Sequence, residues 1–486
     1  MLLDSQWAPL QRKSVFPYDG GVTANMPGEE ADAIRWGIDD LLPEKLDENW
    51  AFEAEPSSSC GICWPQAHKP LMKWGNNLSF EINVGQLEAG GKIETKPVIN
   101  AYGLFPHWND FRNFAQRRYQ REPAQVSPSV ELLINGGNPI IKGSTFKIEL
   151  INKRSAALEG QISISSPEGL FKPQSQSNPA EELIERNSFK VDLSPSQESL
   201  ALVELHQNQA LYDKKHTRAL FLPSGEVSKQ KEGDSYVISN GHITFKASPK
   251  YANALYSLSS GNKEWLASQY PKHEPYGWWN PFIGGIQLRP PNMNTATQQK
   301  EPTKAEFTEQ QDNYGNIWTG IKSSQTIQEF EEHKGACYES YYLTLPGLPL
   351  LCHFFRYINN TGLFKEEETS IEAFLQPSKT LKTTKVEATD KYRTKYQMHP
   401  GVAEQELEFQ GTAKITGDRQ ETLYIHQQSE HNQGSIYGDL HVLSLQITTT
   451  IATAPNKTHT SRPSFYLISK KNLPNKALAD LDRIYF

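Results

Sequence analysis

The chain has few cysteines and no long apolar run. Its 486 residues include 4 Cys, too few to indicate a disulfide framework, and we expect a reducing compartment. No apolar stretch approaches the roughly 20 residues that a membrane-spanning helix needs, so we expect no membrane association. The amino terminus lacks a basic region followed by an apolar one and does not resemble a signal peptide. These features predict a cytoplasmic protein.

The chain also lacks a concentration of charge. It carries 49 basic and 56 acidic residues, for a net charge of −7, spread along its length. Because no basic block stands out, we expect no nucleic-acid partner. The hydrophobic share of 37% is low, whereas the aromatic share of 10% is generous. That balance favours a β-rich protein with large surface loops over a helical bundle.

The length of the sequence and its local patterns of apolar and polar residues divide it into several parts. In the amino-terminal part, apolar residues alternate in Leu78–Val84, and Lys92–Ile99 is interpreted as another strand. Trp108–Tyr119 has apolar residues near helical spacing and predicts a helix. We assign residues 1–122 to a partial β-sandwich that ends in this helix.

The middle of the chain consists of short strand patterns separated by turns. They fall at Ser129–Ile134, Thr145–Ile151, Leu158–Ile164 and Ser199–Leu205. Such spacing predicts a small immunoglobulin-like sandwich over residues 123–207. Residues 208–234, rich in Lys, Gln, Ser and Glu, are interpreted as a linker. Residues 235–486 show strand after strand and suit one large unit of two packed sheets.

The most informative segment is Trp265–Ile286, which packs three Trp, two Tyr and one Phe among Pro and Gly residues. Pro and Gly disfavour regular helix, so the aromatic side chains are expected on irregular backbone. Aromatic rings beside hydrogen-bonding groups suit a sugar, whose C–H face stacks and whose hydroxyls need donors and acceptors. The candidate carbohydrate-binding residues are His273, Glu274, Tyr276, Trp278, Trp279, Arg289 and His399.

Structural alternatives exist for the same segment. Trp278 and Trp279 could instead anchor the loop to the core, since aromatic residues dominate cores generally. Gly284 and Gly285 permit either a close approach of two backbones or a β-bulge, and the bulge is favoured.

Two regions resemble a known fold. Tyr236–Phe245 with its Asn-Gly, Leu255–Leu266 with its Gly turn, Tyr341–Leu350, and Phe354–Gly362 with its Asn-Thr-Gly turn resemble a galactose-mutarotase-like supersandwich domain over about 235–486. Gly85–Gly91, Glu94–Val98 and the helix from Trp108 more weakly resemble the end of another such domain, at about 45–120. The resemblance implies an all-β protein, and an amino-terminal part that is the tail of an upstream sandwich. Exposed sheet edges would then favour self-association or an upstream partner domain.

The resemblance also implies acid–base chemistry on a sugar, but the sequence lacks one of the two groups that this chemistry needs. Mutarotases of this fold use a carboxylate as general base and a His as acid, placed across one sugar ring. The chain offers His273, His333, His353, His399, His426, His431 and His441 as acids. The last strand pattern, Pro463–Ser469, has no carboxylate where the family places its Glu. This departure argues against mutarotation, and catalytic residues stay unassigned.

A metal or cofactor is not expected. Cys60-Gly-Ile-Cys63 and His68 could form half a zinc site, but Cys337 and Cys352 lack the paired spacing that would complete it. We interpret Cys60 and Cys63 as plain loop thiols.

Two functions remain open. The chain is a carbohydrate-recognising protein, as a domain of an enzyme related to glycoside hydrolases, or it is a non-catalytic accessory or carboxyl-terminal portion of a larger enzyme (a glycosidase or a transferase) whose active site lies upstream. Fold likeness cannot separate them, because the fold hosts catalytic and non-catalytic members.

Overall fold

Strands dominate the protein, and the prediction of an all-β fold is confirmed. A computed structural model describes residues 2–3, 14–18, 21–25, 46, 48–53, 59–65, 68–73, 77–82, 91–105, 108–119, 130–152, 160–179, 184, 186–195, 198–209, 212–272, 284–389, 395–402, 404–428, 432–474 and 476–486. Within them, no helix is long and apolar enough to cross a membrane.

The amino-terminal part contains eight described strands and a helix. They are β1 (Leu2–Leu3), β2 (Ser14–Tyr18), β3 (Gly21–Asn25), β4 (Trp50–Glu53), β5 (Cys60–Cys63), β6 (His68–Lys73), β7 (Asn77–Ile82), β8 (Ile99–Tyr102) and α1 (Trp108–Tyr119).

Seven described strands follow. They are β9 (Val130–Ile134), β10 (Thr145–Asn152), β11 (Gly160–Ser165), β12 (Gln174–Asn178), β13 (Arg186–Asp192), β14 (Leu200–Gln209) and β15 (Tyr212–Phe221).

The remainder holds most of the strands. They are β16 (Ser228–Glu232), β17 (Ser235–Ser239), β18 (Ile243–Ala247), β19 (Ala254–Ser260), β20 (Lys263–Glu264), β21 (Ile286–Arg289), β22 (Thr303–Gln311), β23 (Ile317–Thr326), β24 (Cys337–Thr344), β25 (Leu350–Ile358), β26 (Lys365–Phe374), β27 (Lys385–Thr389), β28 (Lys395–Met398), β29 (Gln405–Phe409), β30 (Thr412–Thr416), β31 (Thr422–Gln427), β32 (Gln433–Gly438), β33 (Leu443–Thr453), β34 (Thr458–Thr460) and β35 (Ser464–Ser469). The short helix α2 spans Thr295–Gln298, and 3₁₀ turns occur at Asn135–Gly137, Glu331–His333, Leu381–Thr383 and Ala479–Arg483.

The chain forms two compact units that do not follow the sequence order. The first contains residues 1–124, 378–418 and 435–444, and the second contains residues 125–377, 419–434 and 445–486. The sequence instead suggests boundaries at 122, 207 and 234. Strand patterns show where strands lie but not which distant strand each one pairs with, and that pairing decides the units.

In the first unit, α1 covers a sheet that includes strands from two distant parts of the sequence. Strands follow the order β30-β27-β28-β3-β2-β4-β5-β8, and β3 and β28 are parallel. Trp108 stacks on Trp50 at 6.0 Å and Phe111 packs against Phe52 at 5.7 Å. The helix lies where predicted, because its buried residues Trp108, Phe111 and Ala115 repeat at helical spacing.

Two local expectations in this unit are wrong. Residues 92–98 form no strand and are exposed or half-buried, and β8 begins only at Ile99. The tripeptide Thr-Lys-Pro within this stretch includes a Pro, which cannot donate to a strand ladder. Cys60 and Cys63 lie on β5, not in a loop, and both are buried. Burial raises the pKa of Cys63 to about 12, so its thiol is inert at neutral pH.

The second unit opens with the predicted small sandwich. Its two antiparallel sheets have the orders β13-β10-β9 and β12-β11-β14-β15. Their inner faces share one apolar core that includes Leu132, Ile148, Ile164, Val203 and Leu220.

The linker predicted at 208–234 is wrong for much of its length. All of β15 pairs with β14, and β16 pairs with β17. Ala219, Leu220 and Phe221 of β15 are buried, so this strand is buried on both faces at its carboxyl-terminal end, whereas every residue of β16 is exposed. A charged, solvent-facing strand at a sheet edge looks like a linker in sequence.

The rest of the second unit is a larger sandwich. Its described strands have the orders β16-β17-β18-β19-β21-β26-β33 and β22-β23-β24-β25-β35-β31. The sheets contact each other: the Tyr342 hydroxyl of β24 donates to the Ile286 carbonyl oxygen of β21 at 3.0 Å. The outer face of the second sheet packs against the small sandwich, in a core that joins Phe221 with Trp318, Leu343 and Phe354.

Candidate functional site

Five of the seven predicted site residues lie outside the described residues. They are His273, Glu274, Tyr276, Trp278 and Trp279. Their assignment to a carbohydrate site stays a prediction. The two ends of the aromatic segment, and the two remaining residues Arg289 and His399, are described.

The amino-terminal end of the aromatic segment belongs to the core. Trp265 is fully buried, and the guanidinium of Arg419 lies 4.6 Å from its ring centroid. The peptide bond between Tyr270 and Pro271 is cis. Trp265 therefore anchors the segment to the core.

The carboxyl-terminal end is fixed by two glycines in close contact with neighbouring backbone. Gly284 and Gly285 have φ values of +83° and +82°. A Cβ at these positions would lie 2.1 Å from the Ala267 oxygen and 2.3 Å from the Leu255 oxygen. The glycines thus allow close backbone approach, and the β-bulge favoured from the sequence stays a prediction.

Arg289 ends β21 and is held by a carboxylate on the next strand. Its Nη1 donates to Oε2 of Glu372 on β26 at 2.6 Å. The side chain of Glu372 is 6% exposed and that of Arg289 is 25% exposed. Gln287 also donates to Oε2 of Glu372, at 3.4 Å. The carboxylate therefore fixes the guanidinium while part of the Arg289 side chain stays open to solvent.

The polar groups continue along the same sheet. Ser370, two residues before Glu372 and thus on the same face of β26, lies opposite Arg289. Its hydroxyl accepts from Gln446 Nε2 at 2.7 Å and lies 3.0 Å from the Thr448 hydroxyl. We call Gln287, Arg289, Ser370, Glu372, Gln446 and Thr448 the polar row.

The opposite face of these strands is apolar. Ile286, Leu288, Ile371, Ala373 and Leu445 are buried there. Because side chains alternate along a strand, one face fills the core and the other carries the polar row, in which Gln287, Ser370 and Glu372 are themselves buried. The row is an array of donors and acceptors on a rigid sheet, and it contains one carboxylate and one permanent cation.

His399 lies in the first unit, after β28. Its Nε2 is 2.8 Å from Nε2 of Gln397, and its backbone N–H donates to Oε1 of Gln405 at 3.1 Å. A contribution of His399 to a sugar site stays a prediction.

Two other candidate acids are structural. His353 is fully buried between the sheets and stacks on Tyr342 at 4.5 Å. Burial lowers its pKa to about 3, so it is neutral at physiological pH. His333 is also buried, with Nε2 2.9 Å from the Pro291 oxygen. Among the described residues, no group of three His, Cys, Asp or Glu side chains could hold a metal ion.

Sequence reasoning missed every residue of the polar row except Arg289, and Glu372 is the one charged residue among those missed. It stands between the buried residues Ile371 and Ala373 in β26. An isolated charge within such a run is a signal, because buried carboxylates are paired. The partner cannot be found this way, since the register of β21 and β26 brings Arg289 to it.

Comparison with known proteins gives weak likenesses. No protein-family model matches the chain, and neither does any curated protein. A TPR-domain containing protein from Parabacteroides distasonis is 12% identical, with 55% of this chain and 49% of that chain covered and a TM-score of 0.37. A galactose mutarotase-like protein from Clostridium acetobutylicum is 10% identical, with 50% and 98% covered and a TM-score of 0.35.

A GH36 alpha-galactosidase from Geobacillus stearothermophilus is 9% identical, with 51% of this chain and 41% of that chain covered and a TM-score of 0.34. The chain therefore spans about half the length of the TPR-domain containing protein and less than half of the alpha-galactosidase. The mutarotase-like protein carries the name of the family that the sequence resembles. At TM-scores below 0.5, none of these likenesses carries a functional conclusion.

Proposed function

We propose that the chain recognises carbohydrate at the polar row, with the aromatic residues of the segment before β21 completing the site. The observation that carries this proposal is the Arg289–Glu372 pair on a sheet face whose other side is core. The strand that bears Arg289 begins with Ile286, the last residue of the aromatic segment. Chain connectivity thus ties the aromatic residues to this strand.

The polar row suits hydroxyl groups. Adjacent sugar hydroxyls each need a donor and an acceptor, and a guanidinium beside a carboxylate offers both in a fixed geometry. Ser370, Gln446 and Thr448 add neutral groups that can donate or accept. Trp278 and Trp279 would supply the stacking surface for a sugar ring.

Recognition is better supported than catalysis. Acid–base chemistry on a sugar needs two groups that exchange protons across the ring. Arg289 does not deprotonate in proteins, and Glu372 already accepts its hydrogen bond. We favour a carbohydrate-recognising domain of a carbohydrate-active enzyme. The alternative is a non-catalytic accessory portion of a larger enzyme, and the lack of a carboxylate in β35 favours it over mutarotation.

A glycan array tests the proposal. The wild type, Arg289→Ala and the double variant Trp278→Ala/Trp279→Ala are applied to one array, with Arg462→Ala as the matched control. Arg462 lies over the Tyr485 ring, away from the polar row. We expect glycan signal from the wild type and the control, and loss of it in the other two. No signal from folded wild type, or equal signals from all four proteins, contradicts the proposal.

A further inference from the structure

A concavity lies at the other end of the sheet that carries the polar row. It has a volume of about 490 Å³, within the usual range for small-molecule pockets. Its wall includes Tyr256, Tyr270, Ser235, Lys246 and Glu232, and we call it the tyrosine pocket. These residues come from β16 to β19 and from the start of the aromatic segment.

Local backbone irregularity places Tyr256 in this wall. Lys246 of β18 pairs with Ser257, whereas Ala247 pairs with Leu255, so Tyr256 is an extra residue in β19. A bulge of this kind redirects a side chain away from the regular alternation of the strand. The Tyr256 ring then stacks on Tyr270 at 3.8 Å with an interplanar angle of 9°.

Three hydroxyls in the pocket form a hydrogen-bonded chain. The Tyr256 hydroxyl donates to Ser235 Oγ at 2.8 Å, and Ser235 Oγ lies 3.1 Å from the Tyr270 hydroxyl. A serine hydroxyl has one proton, which it can donate to Tyr270 while accepting from Tyr256. The Tyr270 proton is then the one directed to a ligand.

The charged groups suit a neutral ligand. Lys246 Nζ donates to Glu232 Oε2 at 2.9 Å and keeps further N–H donors. Glu264, also in the wall, accepts from Leu258 N, Trp265 N and Leu266 N through one oxygen and from Ser257 through the other. One cation therefore faces two carboxylates, which disfavours an anionic ligand.

We propose that the tyrosine pocket binds one neutral monosaccharide unit, through the Tyr270 hydroxyl and the Lys246–Glu232 pair. This inference rests on the proposed carbohydrate function and adds a separate binding position to it. Ala254 pairs with Gln287, so Tyr256 lies four residues along the sheet from Arg289, roughly 13 Å at strand spacing. The two positions would hold different sugar units.

The test compares variants on an array of neutral and acidic oligosaccharides, followed by titration calorimetry with the neutral glycan that binds best. The pocket variants are Tyr270→Phe and Lys246→Ala. Tyr236→Phe is the matched control, because Tyr236 packs on Phe307 and does not line the pocket. Thermal unfolding checks that each variant is folded.

We expect each pocket variant to bind about three- to tenfold more weakly than the wild type, as for loss of one hydrogen bond. The control keeps wild-type affinity, and acidic glycans give no signal. If Arg289→Ala abolishes binding while both pocket variants bind as the wild type does, the inference is overturned and the proposed function stands. If folded wild type binds no glycan, both are overturned. A preference for acidic glycans also overturns the inference.

Discussion

Two Arg–carboxylate groupings in the second unit have different geometry. On the sheet face, Arg289 donates to Glu372 at 2.6 Å, and its side chain is partly exposed. In the carboxyl-terminal cluster, Arg218 Nε lies 3.6 Å from Oδ2 of Asp480, and Arg483 Nε lies 3.7 Å from Oδ1. The Asp480 side chain is 4% exposed and that of Arg218 is 14% exposed.

The difference lies in what each arginine holds. Arg218 of β15 donates to the Lys476 oxygen at 3.2 Å, and Arg483 pairs with Glu131 of β9. The cluster thus ties the small sandwich to the turn Ala479–Arg483, and Phe486, three residues after that turn, stacks on Phe354 at 4.5 Å. Arg289 instead ties two adjacent strands, and a quarter of its side chain is exposed. A short bond to a partly exposed arginine suits recognition, whereas a buried cluster with longer distances suits cohesion.

The largest expected effect is on stability at the cluster. Arg218→Ala should lower the free energy of unfolding by about 3 kcal/mol, because removing one partner leaves Asp480 buried with less compensation. The measurement is urea-induced unfolding at pH 7. The double variant Arg218→Met/Asp480→Leu should lose less, since no buried charge is left. Equal losses in the single and double variants would show that the cluster does not act through charge.

The cluster should also respond to pH. Burial raises the pKa of Asp480 to about 6, against the pull of Arg218 and Arg483. Between its ordinary value of 3.8 and about 6, the folded protein keeps a proton that the unfolded chain releases. The stability from this group is therefore present below pH 3.8 and is lost as pH rises through 6, by up to about 1.4 kcal/mol per pH unit.

Asp480→Asn isolates this effect, because it removes the titrating group and keeps the shape of the side chain. The stability of the wild type relative to this variant should decline as pH rises from 4 to 7, measured as the difference between their urea midpoints. Arg483, Asp482 and Glu131, which also act on Asp480, are common to both proteins. A difference that is constant over this range would contradict the shift.

Replacing Arg289 should lower the stability less than replacing Arg218 does, and it should weaken glycan binding more. Arg289→Ala leaves Glu372 without its closest partner, at a cost of about 1–3 kcal/mol for a buried acceptor. Gln287 stays within 3.4 Å and moderates that loss. Urea unfolding gives the stability, and binding to the glycan selected by the wild type gives the function. If Arg289→Ala were as destabilising as Arg218→Ala and still bound glycan, the contrast between the two groupings would be reversed.

Sequence predicts these regions to different extents. The bounds of α1 and of β9 follow from local periodicity, and Arg289 stands out as the charge that ends a buried strand behind the aromatic segment. Glu372, Asp480 and Arg218 could not be paired in advance, because their partners lie 83 to 262 residues away, set by register and by docking of the chain end. The strand β16 was missed because its residues are polar or charged and all exposed, as in a linker.

The smallest effect should come from an ion pair with no such burial. Lys229 Nζ lies 2.7 Å from Glu309 Oε1, closer than either arginine of the cluster lies to Asp480, yet both side chains are about a third to a half exposed. Water screens the attraction, and ordering two long side chains costs entropy, so Lys229→Ala should change the unfolding free energy by at most about 1 kcal/mol. We expect the loss of unfolding free energy to be largest in Arg218→Ala, smaller in Arg289→Ala and smallest in Lys229→Ala. The distances within the three pairs alone would not predict this order. Urea midpoints of the three variants at low and high salt test this order. If Lys229→Ala lost as much stability as Arg218→Ala, distance and not burial would set the strength of these pairs.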